Sequence, residues 1–291
     1  MNPRDEKTIV SSTPDLDFHF GLFKVRDYRI PYGLVGMHIF GTHKSIFPRS
    51  GDLVLNLYMG NSFKNRIVNY DNTWATTNKL YISGLFSEGA LELEQRGKCL
   101  GYAIKIHPVI GYYILHIPMC EIVDKQVRIS DVLESKGHLL MNVETSEKID
   151  SLNSKSLRQF FTSILPEKSE YIKDPIYHAV NFIKNRNGCV GIRELSSRFC
   201  MSERTLNRNF LLKVGLSAQA YSKIWQIEHA VRLIQRYPQA SLNEIAFKAG
   251  YYDTAHLSRA FREKANLPPS SFRKDTNVLT ENYLLTERFS I

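Results

Sequence analysis

An internal repeat in the last third of the chain restricts its fold more than any other feature. At an offset of 51 residues, Ser202–Phe210 aligns with Asp253–Phe261. The register continues in both directions, since Lys213 aligns with Lys264, Leu216 with Leu267 and Tyr221 with Phe272, and Leu195-Ser196 aligns with Ile245-Ala246 at an offset of 50. An α-solenoid needs three or more stacked repeats. Two copies instead predict a pair of matching supersecondary units.

Helix signals flank and separate the two copies. Asp174-Pro175 predicts a capped helix start with proline in the first turn, and Ser217 predicts the start of a long helix that ends before Pro238. Ser241 and Glu244 have the spacing of a capping box. Further helix starts are predicted at Ser202 and after Gly250-Tyr251-Tyr252-Asp253, and a short last helix is predicted from Pro268 or Pro269 through Phe272. The segment is therefore expected to be entirely helical.

Each copy has the residue pattern of a helix-turn-helix. The leucine and phenylalanine are four residues apart and face the core, whereas Arg208 and Arg259 lie elsewhere on the helix surface. The long helix between the copies has about 20 residues, which corresponds to about 30 Å. Successive major grooves on one face of B-DNA are about 34 Å apart. One helix of this length can therefore present two recognition helices to adjacent grooves.

Residues 175–275 resemble the double helix-turn-helix DNA-binding domain of the AraC/XylS family of bacterial transcriptional regulators. The resemblance rests on Leu195-Ser196, Ser202-x-x-x-Leu206-x-Arg208-x-Phe210, Gly215-x-Ser217-x-x-x-Tyr221, Ala230-x-x-Leu233-Ile234, Ile245-Ala246-x-x-x-Gly250-Tyr251, Leu257-Ser258-Arg259-x-Phe261-Arg262 and Pro269-x-x-Phe272-Arg273. The family usually has arginine at Gln226 and glycine at Asn266. Asparagine tolerates the left-handed conformation, whereas Gln226 lacks a charge and is expected to weaken a phosphate or intramolecular contact.

The resemblance implies which residues contact DNA. Two groups are expected to face the bases: Arg204, Thr205, Asn207 and Arg208 in the first copy, and Thr254, Ala255, His256 and Arg259 in the second. Arginine can bond guanine and asparagine can bond adenine through two hydrogen bonds. Phosphate contacts are expected from Ser202, Lys213, Ser241, Arg262 and Arg273. For Ser202 and Ser241, a role as plain helix caps explains the sequence equally well.

The charge distribution agrees with a polyanionic partner. Residues 1–165 contain 19 Lys+Arg and 17 Asp+Glu, a net charge of +2. Residues 174–275 contain 16 and 8, a net charge of +8. A local positive excess of this kind is typical of nucleic-acid-binding domains, although many basic domains are merely soluble.

The front of the chain has the pattern of a β-rich domain. Leu53, Leu55 and Leu57 alternate as in a strand, and Lys79–Gly84 and Gly101–Pro108 are further short apolar runs. From Ser130 to about Leu165 the pattern becomes helical. Residues 1–165 resemble the cupin-like sensory domain of such regulators, through Ser83-Gly84, Ile104–Pro108, Leu115–Pro118 and Val127–Asp131. This resemblance implies effector sensing, dimerisation or both.

The predicted fold class is a two-domain α+β protein. A β-rich cupin-like barrel or sandwich with trailing helices (1–165) is followed by a linker (166–173), an all-α domain of about seven helices (174–275) and a tail (276–291). No apolar run reaches the length of a membrane span, and the amino terminus lacks the pattern of a secretion signal. The four cysteines show no CxxC spacing and no disulfide framework. We therefore expect a cytoplasmic protein.

Several functional alternatives remain open at this level. The expected function is non-catalytic regulation of transcription by binding double-stranded DNA, with a small-molecule effector, a homodimer and, for an activator, RNA polymerase as further partners. A cupin-type metalloenzyme fused to a DNA-binding domain would need a metal held by His38, His43, His107 or His116, but no pair has convincing ligand spacing. A constitutive DNA-binding protein would use the front domain only to dimerise. No cofactor and no catalytic residue is expected.

Overall fold

The computed structural model describes residues 15–25, 28–47, 51–60, 64–68, 71–76, 80–87, 89–133, 162–265 and 268–274. In these ranges a β-sheet is followed by a helical region, which confirms the predicted α+β class. The predicted helical pattern of residues 134–161 and the tail of residues 276–291 lie outside the described ranges.

The front of the chain forms an antiparallel sheet of eight strands. The strands are β1 (Asp15–Val25), β2 (Tyr28–Phe47), β3 (Leu53–Gly60), β4 (Lys64–Val68), β5 (Asp71–Thr76), β6 (Leu80–Ser83), β7 (Ala90–Ile106) and β8 (Gln126–Arg128). Their order is β1-β2-β7-β3-β6-β8, and β4 pairs with both β5 and β7. The long strand β7 therefore lies at the centre of the sheet and contacts three neighbours.

Strand β3 differs from its sequence-based expectation in two ways. It continues beyond the alternating leucines through Met59 and Gly60, because both residues pair with β7. Leu53 and Leu55 are buried as the alternation predicts, but Val54 and Asn56 on the opposite face are buried too. The strand is covered on both sides, whereas the alternating sequence pattern predicts burial of one face only.

The chain leaves the sheet through a short helical segment. Helix α1 (Pro108–Leu115) begins directly after β7, with His107 as its N-cap and proline in its first turn. His116 ends the helix in the left-handed conformation (φ 56°). A 3-10 turn (Met119–Glu121), strand β8 and helix α2 (Ile129–Val132) follow.

In the described residues between 165 and 274 there are eight helices. They are α3 (Lys168–Tyr171), α4 (Pro175–Asn185), α5 (Ile192–Arg198), α6 (Glu203–Lys213), α7 (Ala218–Arg236), α8 (Leu242–Lys248), α9 (Thr254–Ala265) and α10 (Ser271–Lys274). Helices α4 to α10 are the seven that the sequence predicts. The start of α10 is later than expected, because Pro268 and Pro269 accept turn hydrogen bonds from Ser271 and Phe272.

The N-caps of these helices are where the sequence places them. The side chains of Asp174, Ser202 and Ser217 accept hydrogen bonds from backbone N–H groups in the first turns of α4, α6 and α7. Ser241 and Glu244 form the predicted capping box of α8. Each cap satisfies an N–H group that has no partner inside the helix. Local sequence therefore determines where these helices begin.

The predicted linker contains packed structure. Helix α3 occupies Lys168–Tyr171 and is closed by a capping box between Glu167 and Glu170. Tyr171 and Pro166 are buried. A single hydrophobic core extends from Leu53 in β3 through this segment to Trp225 in α7. The sheet and the first half of the helical region thus share one core.

Buried polar contacts reinforce this junction. The carboxylate of Asp174 accepts hydrogen bonds from Tyr113 of α1 (3.1 Å) and from Lys213 of α6 (2.6 Å), while it also caps α4. Burial and the nearby Asp174 raise the pKa of Tyr113 to about 12. One carboxylate therefore connects the front segment with two helices. A charged group that is buried this deeply needs such partners, because a buried charge without them destabilises the fold.

A second set of contacts connects the sheet with helix α7. Lys184 of α4 forms an ion pair with Asp52, at the start of β3. The hydroxyl of Tyr221 donates a hydrogen bond to the carbonyl of Gly51 (2.8 Å). The indole of Trp225 packs against Gly51. The amino-terminal half of α7 is therefore attached to the sheet as well as to its own domain.

The second hydrophobic core lies at the other end of α7. It contains Ile227, Ala230, Val231 and Ile234 of α7, which pack with residues of α8, α9 and α10. The partners on those helices are Ile245, Ala246, Leu257, Phe261 and Phe272, and Ala249 and Tyr251 in the turn between α8 and α9 join them. Burying this many aliphatic and aromatic groups supplies the main driving force for docking the last three helices.

The environment of His107 predicts an acid-sensitive stability. Burial and the nearby Lys184 lower the pKa of His107 well below its ordinary value. The unfolded chain therefore takes up a proton at a pH where the folded chain does not, so the free energy of unfolding should fall as pH decreases below about 6.5. His107→Asn retains a capping oxygen for Val109 N–H, which His107 now accepts at 3.2 Å. We expect the variant to lose less stability between pH 7 and pH 5 in urea unfolding.

The matched control for this prediction is His116→Asn. His116 is exposed at the other end of α1, and asparagine tolerates its left-handed conformation. His229, whose pKa burial also lowers, is left intact and maintains part of the acid sensitivity in every variant. An equal loss of stability in the wild type and in His107→Asn would show that His107 is not responsible.

Candidate nucleic-acid interface

Helices α5 and α6 form the first helix-turn-helix. Leu195 of α5 and Leu206 and Phe210 of α6 are buried in the first core. Cys200 occupies the turn with φ 52°, and Ser202 caps α6 by accepting a hydrogen bond from Thr205 N–H (3.1 Å). This arrangement fixes α6 by its apolar face and leaves its opposite face open. Arg204 and Arg208 lie on that open face, and both are exposed.

Helices α8 and α9 repeat the unit. Ile245 and Ala246 of α8 and Leu257 and Phe261 of α9 are buried. Gly250 makes the turn with φ 75°, and Asp253 accepts a hydrogen bond from His256 N–H (2.7 Å), as the predicted cap requires. The exposed face of α9 presents Ala255, His256 and Arg259.

The two units therefore agree in burial at the positions where the repeat has the same or similar residues. Leu206 and Leu257 are both fully buried, as are Phe210 and Phe261, whereas Arg208 and Arg259 are both exposed. The aligned aromatic residues that follow, Tyr221 and Phe272, are also both buried. The sequence repeat is thus a repeat of structure, and each unit presents one polar helix face to solvent.

Two residues expected to contact DNA have intramolecular partners. The side-chain oxygen of Asn207 accepts a hydrogen bond from Ala218 N–H (3.2 Å) at the start of α7. The ammonium group of Lys213 is paired with Asp174. Adenine recognition by asparagine needs both the oxygen and the nitrogen of the amide. In this conformation, Asn207 and Lys213 therefore support the fold rather than extend toward a ligand.

The remaining expected residues are placed as follows. Ser202 and Ser241 are exposed caps, and Thr205 and Thr254 are half-buried in the first turns of their helices. The hydroxyl of Thr205 accepts a hydrogen bond from that of Ser202 (2.9 Å). Arg262 is exposed on α9, and Arg273 belongs to α10, but its side chain lies outside the described part of the structure. Among the basic residues expected to contact DNA, those that the structure describes as exposed are Arg204, Arg208, Arg259 and Arg262.

Two exposed aromatic residues were not predicted as part of the site. Phe247 on α8 is 83% exposed, and Tyr252, directly before the cap of α9, is 93% exposed. Large aromatic groups are seldom left so open without a partner. Tyr251 and Tyr252 are neighbours, yet the first is buried and the second is not. Only the direction of the turn at Gly250 distinguishes them, so composition and periodicity could not.

The front part of the chain contains no assembled ligand set in the residues described. Among them no group of three or more His, Cys, Asp or Glu side chains is arranged to hold a metal ion. His107 and His116 flank the eight-residue helix α1, which separates them by roughly 12 Å along its axis. One ion cannot bind both rings. The side chains of His38 and His43 lie outside the described set, so they stay untested.

Cysteine and hydropathy patterns give two further observations. Cys120, Cys189 and Cys200 are free thiols, and all three are exposed. Within the described ranges, none of the helices combines the length and the apolar character needed to cross a membrane.

Comparison with known proteins assigns the helical region. A family model described as a helix-turn-helix domain matches residues 195–275. The transcriptional activator RhaS of Escherichia coli O1:K1 is 34% identical over 80 residues, and RhaS of Escherichia coli O9:H4 is 32% identical over 80 residues. In both cases the match spans 28% of this chain and 28% of RhaS, so the likeness is confined to one domain.

Among solved structures, ToxT from Vibrio cholerae aligns with 88% of this chain and 98% of its own, at 12% sequence identity and a TM-score of 0.45. That likeness is too slight to carry any property across. The sequence match and the repeated geometry together identify the helical region. Residues 195–275 form a double helix-turn-helix domain that is similar to a segment of the RhaS transcriptional activators.

Proposed function

We propose that the protein is a sequence-specific regulator of transcription that binds double-stranded DNA without catalysing a reaction. Helices α6 and α9 are the recognition helices, and each enters a major groove. Arg204 and Arg208 read one half of the site, while Ala255, His256 and Arg259 read the other. Thr205 and Thr254, in the first helical turns, lie beside these residues. Duplex DNA as the target implies action in the cytoplasm of a bacterial cell.

The observation that carries this proposal is the repeated open face. In each unit a leucine and a phenylalanine hold the helix in a core, while an arginine at the same position between them remains exposed. A single exposed arginine on a helix surface is common and does not by itself indicate a ligand. Its recurrence in two units that share a burial pattern points to a shared ligand. Arginine is also the residue best suited to bind guanine through two hydrogen bonds.

Charge supports a polyanionic ligand for this face. The helical domain has a net charge of +8 over residues 174–275. Arg193, Arg198 and Arg262, as well as Lys248, are exposed on the helix-turn-helix units beside the recognition residues. Arg262 is our candidate for a phosphate contact in α9, because phosphate contacts position a protein without reading sequence. Ser202, Ser241 and Arg273 belong to the same set, and Lys213 would have to leave Asp174 first.

We further propose that the front domain controls the DNA-binding domain. The sheet and the first helix-turn-helix share one hydrophobic core, and hydrogen bonds of Asp174, Lys184 and Tyr221 attach helices α4, α6 and α7 to the front domain. A small molecule that binds the front domain, or self-association through it, would therefore act on α6 and α7 directly. RNA polymerase is the expected further partner if the outcome is activation.

The first prediction concerns base recognition. After the target is isolated by selection from random oligonucleotides, Arg208→Ala should weaken binding to that target by about 1–3 kcal/mol and relax the preference at one base pair. Arg259→Ala should do the same at a base pair in the other half of the target. Because the two residues lie in separate units, their effects should add within about 0.5 kcal/mol. Fluorescence anisotropy with the target and with single-base variants measures all three.

Arg128→Ala is the control for this experiment. Arg128 is exposed in the front domain, before α2, and its loss removes the same charge away from the proposed interface. It should leave affinity for the target nearly unchanged. If Arg208→Ala weakened binding to the target and to random DNA equally, Arg208 would be a phosphate contact and not a base-reading residue.

The second prediction concerns salt. Binding to the target should weaken steeply as salt rises, because each phosphate neutralised releases counterions. Arg262→Ala should reduce the slope of log affinity against log salt by about 1 and should lower affinity for all sequences to a similar extent. Binding titrations between roughly 50 and 200 mM salt measure this slope. An unchanged slope would remove Arg262 from the interface.

A further inference from the structure

The middle of helix α7 is the place where the two hydrophobic cores meet. The first core ends along the chain at Trp225, and the second begins at Ile227. Gln226 lies between them and is half-buried. The orientation of the second helix-turn-helix relative to the first therefore depends on the conformation and contacts of α7 at Gln226.

The side chain of Gln226 reaches the turn of the second helix-turn-helix. Its amide nitrogen donates hydrogen bonds to the carbonyl oxygens of Ala249 and Gly250, both at 3.1 Å. Cys189, in the loop between α4 and α5, donates from its thiol to the same Ala249 carbonyl at 3.5 Å. We call these four residues the bracket: Gln226, Cys189, Ala249 and Gly250. The bracket connects the loop before the first unit, α7 and the turn of the second unit.

Two glycines allow the bracket to be this compact. Gly188 has φ 76°, and a side chain there would place Cβ 2.1 Å from the carbonyl oxygen of Ser222 and 2.5 Å from the backbone nitrogen of Gln226. Gly250 has φ 75°, and its Cβ would lie 2.6 Å from the sulfur of Cys189. Both backbone segments therefore lie against their neighbours at a distance that only glycine permits.

The turn held by the bracket leads directly into the second recognition helix. Tyr251, next to Gly250, is buried in the second core, and Asp253 caps α9. A shift of Ala249 and Gly250 therefore moves the start of α9. On the other side, the loop that contains Cys189 continues into α5 of the first unit. The bracket thus joins the second unit to α7 and to the loop that leads into the first unit.

We propose that Gln226 is a positioning residue that sets the distance and rotation between the two recognition helices, and so determines which spacing of half-sites the protein accepts. This inference rests on the proposed function. It also revises the expectation that the missing arginine charge at this position weakens an intramolecular contact, because the neutral amide supplies two hydrogen bonds to carbonyl oxygens.

DNA geometry makes the proposal measurable. One added base pair moves a half-site by about 3.4 Å and rotates it by about 35°, since a helical turn of 10–10.5 base pairs spans about 34–36 Å. Two recognition helices held rigidly cannot follow such a change. Two helices joined only through a bending α7 can follow part of it. Rigidity at Gln226 therefore appears as discrimination between spacings.

The test compares the selected target with versions that have one base pair added or removed between the half-sites. We expect the wild type to bind the altered targets at least about 10-fold more weakly, and Gln226→Met to reduce that ratio to about 2- or 3-fold. Methionine has nearly the same length and helix propensity as glutamine but no donor. Affinity for a single half-site should not change.

Gln219→Met is the matched control, because Gln219 is an exposed glutamine on the first turn of the same helix. Gln226→Glu, which removes the donor by another chemistry, is the second variant. Thermal unfolding confirms that each variant is folded before its DNA binding is compared.

A second measurement needs no DNA. Cys189 and Cys200 are both exposed thiols, but Cys189 donates a hydrogen bond to the Ala249 carbonyl of the bracket, whereas Cys200 lies in the turn of the first unit. In Gln226→Met, the alkylation rate of Cys189 relative to Cys200 should rise several-fold, because release of the turn removes the hydrogen bond between the Cys189 thiol and the Ala249 carbonyl. Gln219→Met should leave this ratio unchanged.

The outcomes separate this inference from the proposed function. If the wild type discriminates between spacings and Gln226→Met does so equally well, with Cys189 no more reactive, the positioning role is wrong and the proposed function stands. If the wild type selects no DNA target, the proposed function and the spacing role both fail, whatever the reactivity of Cys189. Loss of discrimination together with a faster reaction of Cys189 supports the proposal.

Discussion

Burial of two opposite sets of apolar side chains along one helix is the interaction on which the DNA-binding domain depends. The amino-terminal half of α7 contributes Tyr221, Ile224 and Trp225 to the first core, and its carboxyl-terminal half contributes Ile227, Val231 and Ile234 to the second. Each recognition helix is held by its own core. Because both cores use α7, the two open arginine faces are attached to opposite ends of one continuous helix.

The first core has a consequence for control. It extends from the sheet to Trp225, so the described part of the front domain shares a core with the first helix-turn-helix, whereas the described members of the second core all belong to the helical region. Asp174 illustrates the coupling, because one buried carboxylate caps α4 and pairs with Tyr113 and Lys213. A buried group with three partners resists partial rearrangement, since removing one partner leaves uncompensated charge. Changes in the front domain should therefore reach α6 before they reach α9.

Glu228 is a buried carboxyl group whose desolvation opposes folding. It is fully buried on α7, and neither carboxylate oxygen has a hydrogen-bond partner among the described residues. Burial raises its pKa, against the opposing influence of Lys105, Arg232 and Lys184. Desolvating a carboxyl group opposes folding unless nearby cations or a proton compensate. The positive groups around α7 therefore serve the fold as well as the net charge of the domain.

Much of the helical domain follows from local sequence. Caps at Asp174, Ser202, Ser217 and Ser241, glycine at position 250 and the spacing of leucine and phenylalanine act within a few residues, so a pattern along the chain reveals them. The front domain was less predictable. In β3, residues on both faces are buried because the sheet is covered on both sides, and the apolar run at 109–115 forms a helix where alternation could not distinguish helix from strand.

The candidate site divides along the same line. The sequence by itself determined the two matching units, the exposure of Arg208 and Arg259 and the sign of the charge, because each depends on residue type and on period. Only the tertiary structure decided that Lys213 and Asn207 are engaged inside the protein, that Tyr252 is open while Tyr251 is buried, and that Gln226 joins the two units. These outcomes depend on partners between 11 and 39 residues away along the chain or on the direction of a turn. A periodic pattern in the sequence contains neither kind of information.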